Sequence, residues 1–459
     1  MKRLGLLLLI TSVSASAQEV THPTRMNLPA SEFSRPDPTD YQLALENGLV
    51  AYIAEANQVP LVTLSAFIAA GAVSDEKQGS AETLAEALRR GPTADNAGEF
   101  QKTLNYMTAE YSVSMHDEWT EVTLNVPLED LDAALPLFAK IIRGPAIDSD
   151  ALERAKLKAA PGGKDLSGES GPALYEGSLA AAVDRFHEVL FKDHPYGIDP
   201  TVSDFDDLEV SDVREFHATR FVPANMTLAI AGDIDAEDIQ SAIVDLFGDM
   251  PFSDAPARVL APDIGHSTLT QHTFPAEKLQ SWLVFGHELP VTPLDDQAAL
   301  EVMNYILAGG HLYTRMTVET RYRYGYTNDA SGFLEDRWFG PGTYTFRSYS
   351  RHDVIRDIYE NMVEEIDRIR ANEVTDEELF IAKGALTDGS FQIRYLDGYT
   401  IARNFAMERL RFGDHSRSAT YVDRVRAVSA DDVLEAAKKY LHPDRMQVVL
   451  VGKKIDLLD

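Results

Sequence analysis

The 459-residue chain contains no cysteine. That removes disulfides, thiol nucleophiles and thiolate metal sites at a stroke. Positive charge is scarce: 42 Lys and Arg face 73 Asp and Glu, a formal net charge of −31. A field of that sign repels phosphate backbones, excludes nucleic acid as a partner and favours basic peptides as ligands. No run of 18 apolar residues is present, so no membrane span is expected. The 12 histidines never fall three, four or five positions apart, so no helix can present a local imidazole pair to a metal. A G-x-S-x-G elbow and a phosphate-binding glycine loop are also missing.

What is present is ample for packed cores: 44% of residues are hydrophobic, and the length implies two to three domains. The opening MKRLGLLLLITSVSASAQ has two cations, an apolar run and Ala15-Ser16-Ala17. It predicts a cleaved signal peptide over residues 1–17 and export, most simply to a bacterial periplasm. Removing Lys2 and Arg3 leaves a mature charge of about −33. From Tyr41, alternating apolar residues flank Asn47-Gly48, which predicts a hairpin, and a third strand runs from Leu61 to Ile68. LEDLDAALPLFAKIIRG predicts an amphipathic helix with Leu128, Leu131, Ala134, Leu135, Phe138 and Ile141 on one face. Residues 161–174 are rich in Gly and Ser and read as a loop. His194, beside Pro195, reads as a structural turn residue.

The second half repeats the first. SDVREFHATRFVPANMTLAIAGDID aligns with DDVLEAAKKYLHPDRMQVVLVGKKID, placing Val213 on Val433, Pro223 on Pro443, Met226 on Met446 and Gly232 on Gly452. So long a period is a domain duplication. The sequence therefore predicts an α+β fold of two homologous domains, 38–250 and 269–459, joined by a linker over 251–268. The second domain is expected to open with the strand LQSWLVFGHELP.

Function turns on GSAETLAEALRRGP, residues 79–92. Ala81, Leu84, Ala85 and Leu88 recur at helical spacing, Ser80 is the expected cap, and Gly91-Pro92 ends the helix. This helix, following a strand that ends AFIAAGAVSDEKQG, resembles the catalytic helix of the pitrilysin/insulinase zinc peptidases. HPYG at 194–197 and the strand into Gly232-Asp233 resemble the same family, and the resemblance extends over residues 38–459. Members carry His-x-x-Glu-His on that helix and a Glu ligand some seventy to eighty residues on. The resemblance puts Glu82 and Glu86 at the histidine positions, Ala85 at the general base, and Pro161, Gly162 and Gly163 near the distal ligand. It thus implies a chain without its own zinc and without catalytic residues. Glu82 and Glu86 are one turn apart, yet two carboxylates make a poor cage for a cation such as calcium.

In the second half, LYTRMTVETRYRYG resembles the segment whose Arg and Tyr, seven residues apart, hold the substrate backbone in paired members of the family. Arg321 matches the Arg and Gly325 the turn glycine, while Asn328 stands at the Tyr position. If the segment is a strand, Tyr326 points to the same side as Asn328 and can substitute for the Tyr. Arg321, Tyr326 and Asn328 are therefore the candidate substrate-binding residues; a salt bridge is the alternative role for Arg321. The resemblance further implies two largely antiparallel sheets, each with helices on one side, forming half of a clamshell. A zinc-bearing family relative would complete a heterodimer that takes unfolded peptides. A stand-alone pseudo-peptidase that binds peptides or scaffolds an assembly is the other expectation.

Overall fold

The structure, a computed structural model, describes residues 33–92, 97–160, 177–265 and 267–458. The expected signal peptide, the Gly- and Ser-rich loop and the Pro161–Gly163 ligand neighbourhood lie outside them. Arg35–Asp459 is one compact unit.

Strands β1 (Gln42–Ala44), β2 (Val50–Glu55), β3 (Leu61–Ile68), β4 (Glu110–Met115), β5 (Thr120–Pro127) and β6 (Met226–Gly232) form a sheet in the order β1-β2-β6-β3-β5-β4. The expected hairpin is β1–β2, and its Gly48 has φ +95°, a turn conformation that suits glycine. A second sheet has the order β7-β11-β8-β10-β9, from β7 (Thr270–Pro275), β8 (Gln280–Leu289), β9 (Ala330–Glu335), β10 (Gly342–Arg351) and β11 (Gln447–Gly452). In each sheet one pair is parallel, β2 with β6 and β7 with β11, and the remaining pairs are antiparallel. β7 precedes the strand expected to open the second half. Its residues are only half-buried at a sheet edge, so it carries little apolar alternation.

Helices of eight residues or more are α1 (Ser80–Arg89), α2 (Ala97–Tyr106), α3 (Leu131–Arg143), α4 (Ser149–Ala159), α5 (Leu179–Leu190), α6 (Val210–Arg220) and α7 (Ala236–Phe247), then α8 (Leu294–Asn304), α9 (Ile355–Ala371), α10 (Asp376–Gly384), α11 (Gly398–Phe412), α12 (Ser416–Ala427) and α13 (Ala430–Tyr440). The sequence repeat is visible here: α6 and β6 in the first half match α13 and β11 in the second, each helix leading through a Pro-initiated 3₁₀ turn into its strand. On α3 the buried face includes Ala134, Leu135, Phe138 and Ile141. Leu128 instead precedes the helix, in a 3₁₀ turn, and is exposed. His194 is structural: its Nδ1 accepts from the Tyr196 amide at 3.2 Å and its Nε2 lies 2.7 Å from the Pro262 carbonyl.

Period-2 alternation sends side chains to both faces of a sheet, and the central strands β2, β6 and β11 are buried on both. In the first sheet Leu49, Ala51 and Ile53 join Val62, Leu64, Val122 and Leu124 in the core beneath helices of the same half. The opposite face is covered by α11, a helix of the other half. There Tyr52 meets the Phe405 ring at 5.9 Å, and Thr227 Oγ1 donates to the Ala406 carbonyl at 3.0 Å. The second sheet is treated reciprocally. Phe285 packs on Tyr359 of α9, whereas Val284, Val449 and Val451 pack on Ala182, Phe186 and Leu190 of α5. Each half lends the other one helix.

The halves also meet at the β4–β5 turn. Glu118 is 4% exposed and accepts from the Phe339 amide at 2.7 Å, from the Trp338 amide, and from the Tyr196 hydroxyl at 2.8 Å. Beside it Trp119 stacks on Trp338, with centroids 5.4 Å apart and planes 3° apart.

Phe186→Ala on α5 and Phe405→Ala on α11 should each destabilise the protein by ~3–5 kcal/mol. Urea unfolding followed by circular dichroism should show each as a shift of one common transition. Separate transitions for the two halves would contradict the exchange as the source of cooperativity.

Candidate functional site

α1 has the expected limits but a different cap. Ser80 Oγ donates to the Lys77 carbonyl at 2.8 Å and caps nothing. Asp75 takes that role, accepting from the amides of Gly79 at 3.0 Å and Ala81 at 2.8 Å. Gly79 has φ +95° and sits against Phe205, so neither a side chain's bulk nor its preferred backbone fits there. Ala81, Leu84 and Leu88 are fully buried in the core of the first half.

The helix presents Glu82, Ala85 and Glu86 together. Ala85 is buried and has no group to act as a base. Glu86 is 6% exposed, and both Arg89 and Lys158 hold its Oε1, at 2.6 and 2.5 Å. Lys158 comes from the last turn of α4, which packs across α1. Burial opposes ionisation of Glu86, but the Lys158 hydrogen bond and the Arg89 charge outweigh it and hold the carboxyl below its ordinary range. Asp75 goes the other way: burial, reinforced by the nearby Glu82 carboxylate, pushes it up to about 8 against the pull of the helix amides.

These residues do not fit a zinc ion. They offer no imidazole nitrogen, and the buried carboxylate is already neutralised by two cations. Among the described residues, no group of three or more His, Asp or Glu side chains could hold a metal ion. The sequence reading found Glu86 but missed Lys158. Its only signal is its place three positions before Pro161, in the approach to the distal ligand position.

The second candidate group lies between α8 and β9. Residues 318–323 form a π-helical turn, Gly325 has φ +66°, and β9 begins at Ala330. Residues 324–329 are therefore a turn and not a strand, and the alternation argument for Tyr326 does not hold. The turn nevertheless brings Arg321 to Asn328: Arg321 Nη1 donates to the Asn328 carbonyl at 3.2 Å. Tyr326 is half-buried and stacks on Tyr324, with centroids 5.1 Å apart. Asn328 is exposed, as are Tyr322 and Tyr324, so Arg321 stands in an aromatic surface patch.

With this geometry in hand, similarity to known proteins identifies the class. Residues 50–191 match the family model of insulinase (peptidase family M16), and residues 207–386 match that of the peptidase M16 inactive domain. An uncharacterized zinc protease of Mycobacterium leprae is 24% identical over 319 residues, covering 68% of each chain. A crystal structure of a peptidase M16 inactive domain from Pseudomonas fluorescens superposes with TM-score 0.75 at 20% identity, covering 90% of this chain and 98% of that one. The periplasmic protease PqqL of Escherichia coli gives TM-score 0.69 at 14% identity, covering 92% of this chain and 46% of that one. The chain belongs to the insulinase (peptidase M16) family and to its non-catalytic type. Among the described residues, no helix is long and apolar enough to cross a membrane.

Two outcomes follow. Protein exposed to excess zinc and then dialysed should retain far less than one zinc per chain by elemental analysis. The pH dependence should separate the two carboxyls, because their shifts have opposite sign. Asp75 is raised above its unfolded value, so its contribution to stability is full below about pH 4 and is lost as pH rises towards 8. Glu86 is lowered, so its contribution holds at neutral pH and is lost as pH falls below its ordinary 4.5. The stability advantage of wild type over Asp75→Asn should accordingly be larger at pH 5 than at pH 8. Glu86→Gln should cost ~1–3 kcal/mol at pH 7 and progressively less in acid. Denaturant titrations at several pH values check both.

Proposed function

We propose that this chain is the zinc-less partner subunit of an exported heterodimeric metallopeptidase. In this reading domains 38–250 and 269–459, joined by 251–268, complete a chamber whose zinc is held by a separate family relative. Arg321, with Tyr326 and Asn328, positions the peptide backbone. One observation carries the proposal: where the family keeps a metal and a base, this chain keeps the ion group Arg89–Glu86–Lys158 and an alanine. The acidic charge of −31 suits basic, unfolded peptides. Export is supported by the N-terminal pattern of residues 1–17, and a periplasmic protease stands among the structural neighbours.

Asn328 at the family's Tyr position favours the second reading, a pseudo-peptidase that binds peptides or scaffolds an assembly without a peptidase partner. Co-expression with a zinc-bearing relative separates the two. Under the first reading the chains co-purify and cleave an unstructured peptide, and neither does so alone. Arg321→Ala should lower kcat/KM of the complex about tenfold or more, a loss of at least ~1.4 kcal/mol, with the complex intact by gel filtration. Unchanged cleavage by this variant would remove Arg321 from substrate positioning.

A further inference from the structure

A cavity of about 350 Å³ lies between α8, α11 and α12, and its lining includes none of the residues of the two groups described above. Four arginines line it: Arg394, Arg411, Arg417 and Arg424. In a chain so rich in acid, their partners are informative. Arg411 holds Asp336 at 2.7 Å. Arg417 donates to the neutral Gln297 at 2.9 Å and lies 3.8 Å over the Phe412 ring. Arg424 donates to the carbonyls of Leu294 and Arg417, each at 3.1 Å. Arg394 lies over the rings of Phe391 and Tyr421 at 5.8 and 5.1 Å. Among the described residues, none of these last three is within ion-pair distance of a carboxylate.

The three acids on the wall are already engaged. Asp336 is held by Arg411, Glu301 accepts from the Tyr421 hydroxyl at 2.6 Å, and Glu408 accepts from the amide and hydroxyl of Ser418 at 2.8 and 2.6 Å. Burial first, then the nearby Arg411 and Arg424 charges, pull Arg417 below its ordinary value against the opposing Asp336 and Glu408. By formal charge the four arginines outnumber the three acids, and burial raises the Glu301 carboxyl towards its neutral form, so the lining is net positive. An anion is the ligand that such an excess favours, and a carboxylate meets it with less crowding against Asp336 and Glu408 than a phosphate monoester, which carries close to two negative charges near neutral pH. Planar guanidiniums fixed against aromatic rings present their N–H edges in the fork that suits a carboxylate. The rest of the wall places the rings of Trp338, Tyr395, Phe412 and Tyr421 beside Met407 and the polar Gln297, Asn404 and Ser418. The volume is at the small end of ligand pockets.

We infer that this cavity binds the carboxylate of a single aromatic or apolar amino-acid residue, free or at the end of a peptide, through Arg394 and Arg417. The site is independent of the peptide-positioning reading.

Calorimetric titration of the full chain with N-acetylphenylalanine tests it. The acid should bind one per chain, and N-acetylphenylalaninamide at least tenfold more weakly. Arg394→Gln and Arg417→Gln should each weaken the acid at least tenfold while retaining the wild-type circular dichroism spectrum. A hexapeptide ending in free phenylalanine separates the sources. Binding that amidation abolishes assigns the cavity to peptide ends, and its failure beside binding of the small acid assigns it to free residues; both sustain the inference. Equal binding of acid and amide, no binding of the acid to wild type, or tighter binding of inorganic phosphate would overturn it.

Discussion

Everything in this fold depends on the exchange of α5 and α11 between its halves. A sheet whose strands are apolar on both faces needs two covers, and each half supplies only one for its own sheet. On the first sheet the missing cover arrives from far along the chain, as when Ala406 receives the hydroxyl of Thr227, 179 residues away. Burying a Phe or Leu side chain contributes about 1.5–3 kcal/mol, so Phe186 and Phe405, with their neighbours, outweigh any single polar contact between the halves. Glu82, Ala85 and Glu86 of α1 take no part in this exchange, which leaves those positions free to change without disturbing it.

That freedom is visible on α1. Its packing face is intact, and α4 still crosses it, yet what α4 delivers to Glu86 is an ammonium. At an effective dielectric constant near 20, two like unit charges ~4 Å apart repel by about 4 kcal/mol. A divalent ion arriving between Lys158 and Arg89 would meet that repulsion from both, doubled by its own charge. Nitrogen donors are lacking to offset it. The ion group Arg89–Glu86–Lys158 thus closes this part of α1 to a metal ion electrostatically.

Much of this was legible in the sequence because it is local or periodic. The Asn47-Gly48 hairpin, β3, α1 and the repeat linking Val213 to Val433 all depend on spacing within a few residues or on self-similarity. The cap of α1 was misread because Asp75 reaches it from outside the helix, past the nearer Ser80. The condition attached to Tyr326, that its segment be a strand, fails because β9 starts only at Ala330, and the π-helical turn before it has no distinctive apolar pattern. Lys158 and the two exchanged helices were illegible for one reason: each makes its decisive contact with residues far away in the chain, and no local composition encodes that.

The stacked Trp119 and Trp338 are two of only three tryptophans in the chain. They sit on opposite sides of the junction between the halves, with parallel rings close enough for their electronic transitions to couple. The molecule thus carries an intrinsic optical gauge: any hinge movement between its halves must part these indoles and alter the near-ultraviolet signal, with no label attached.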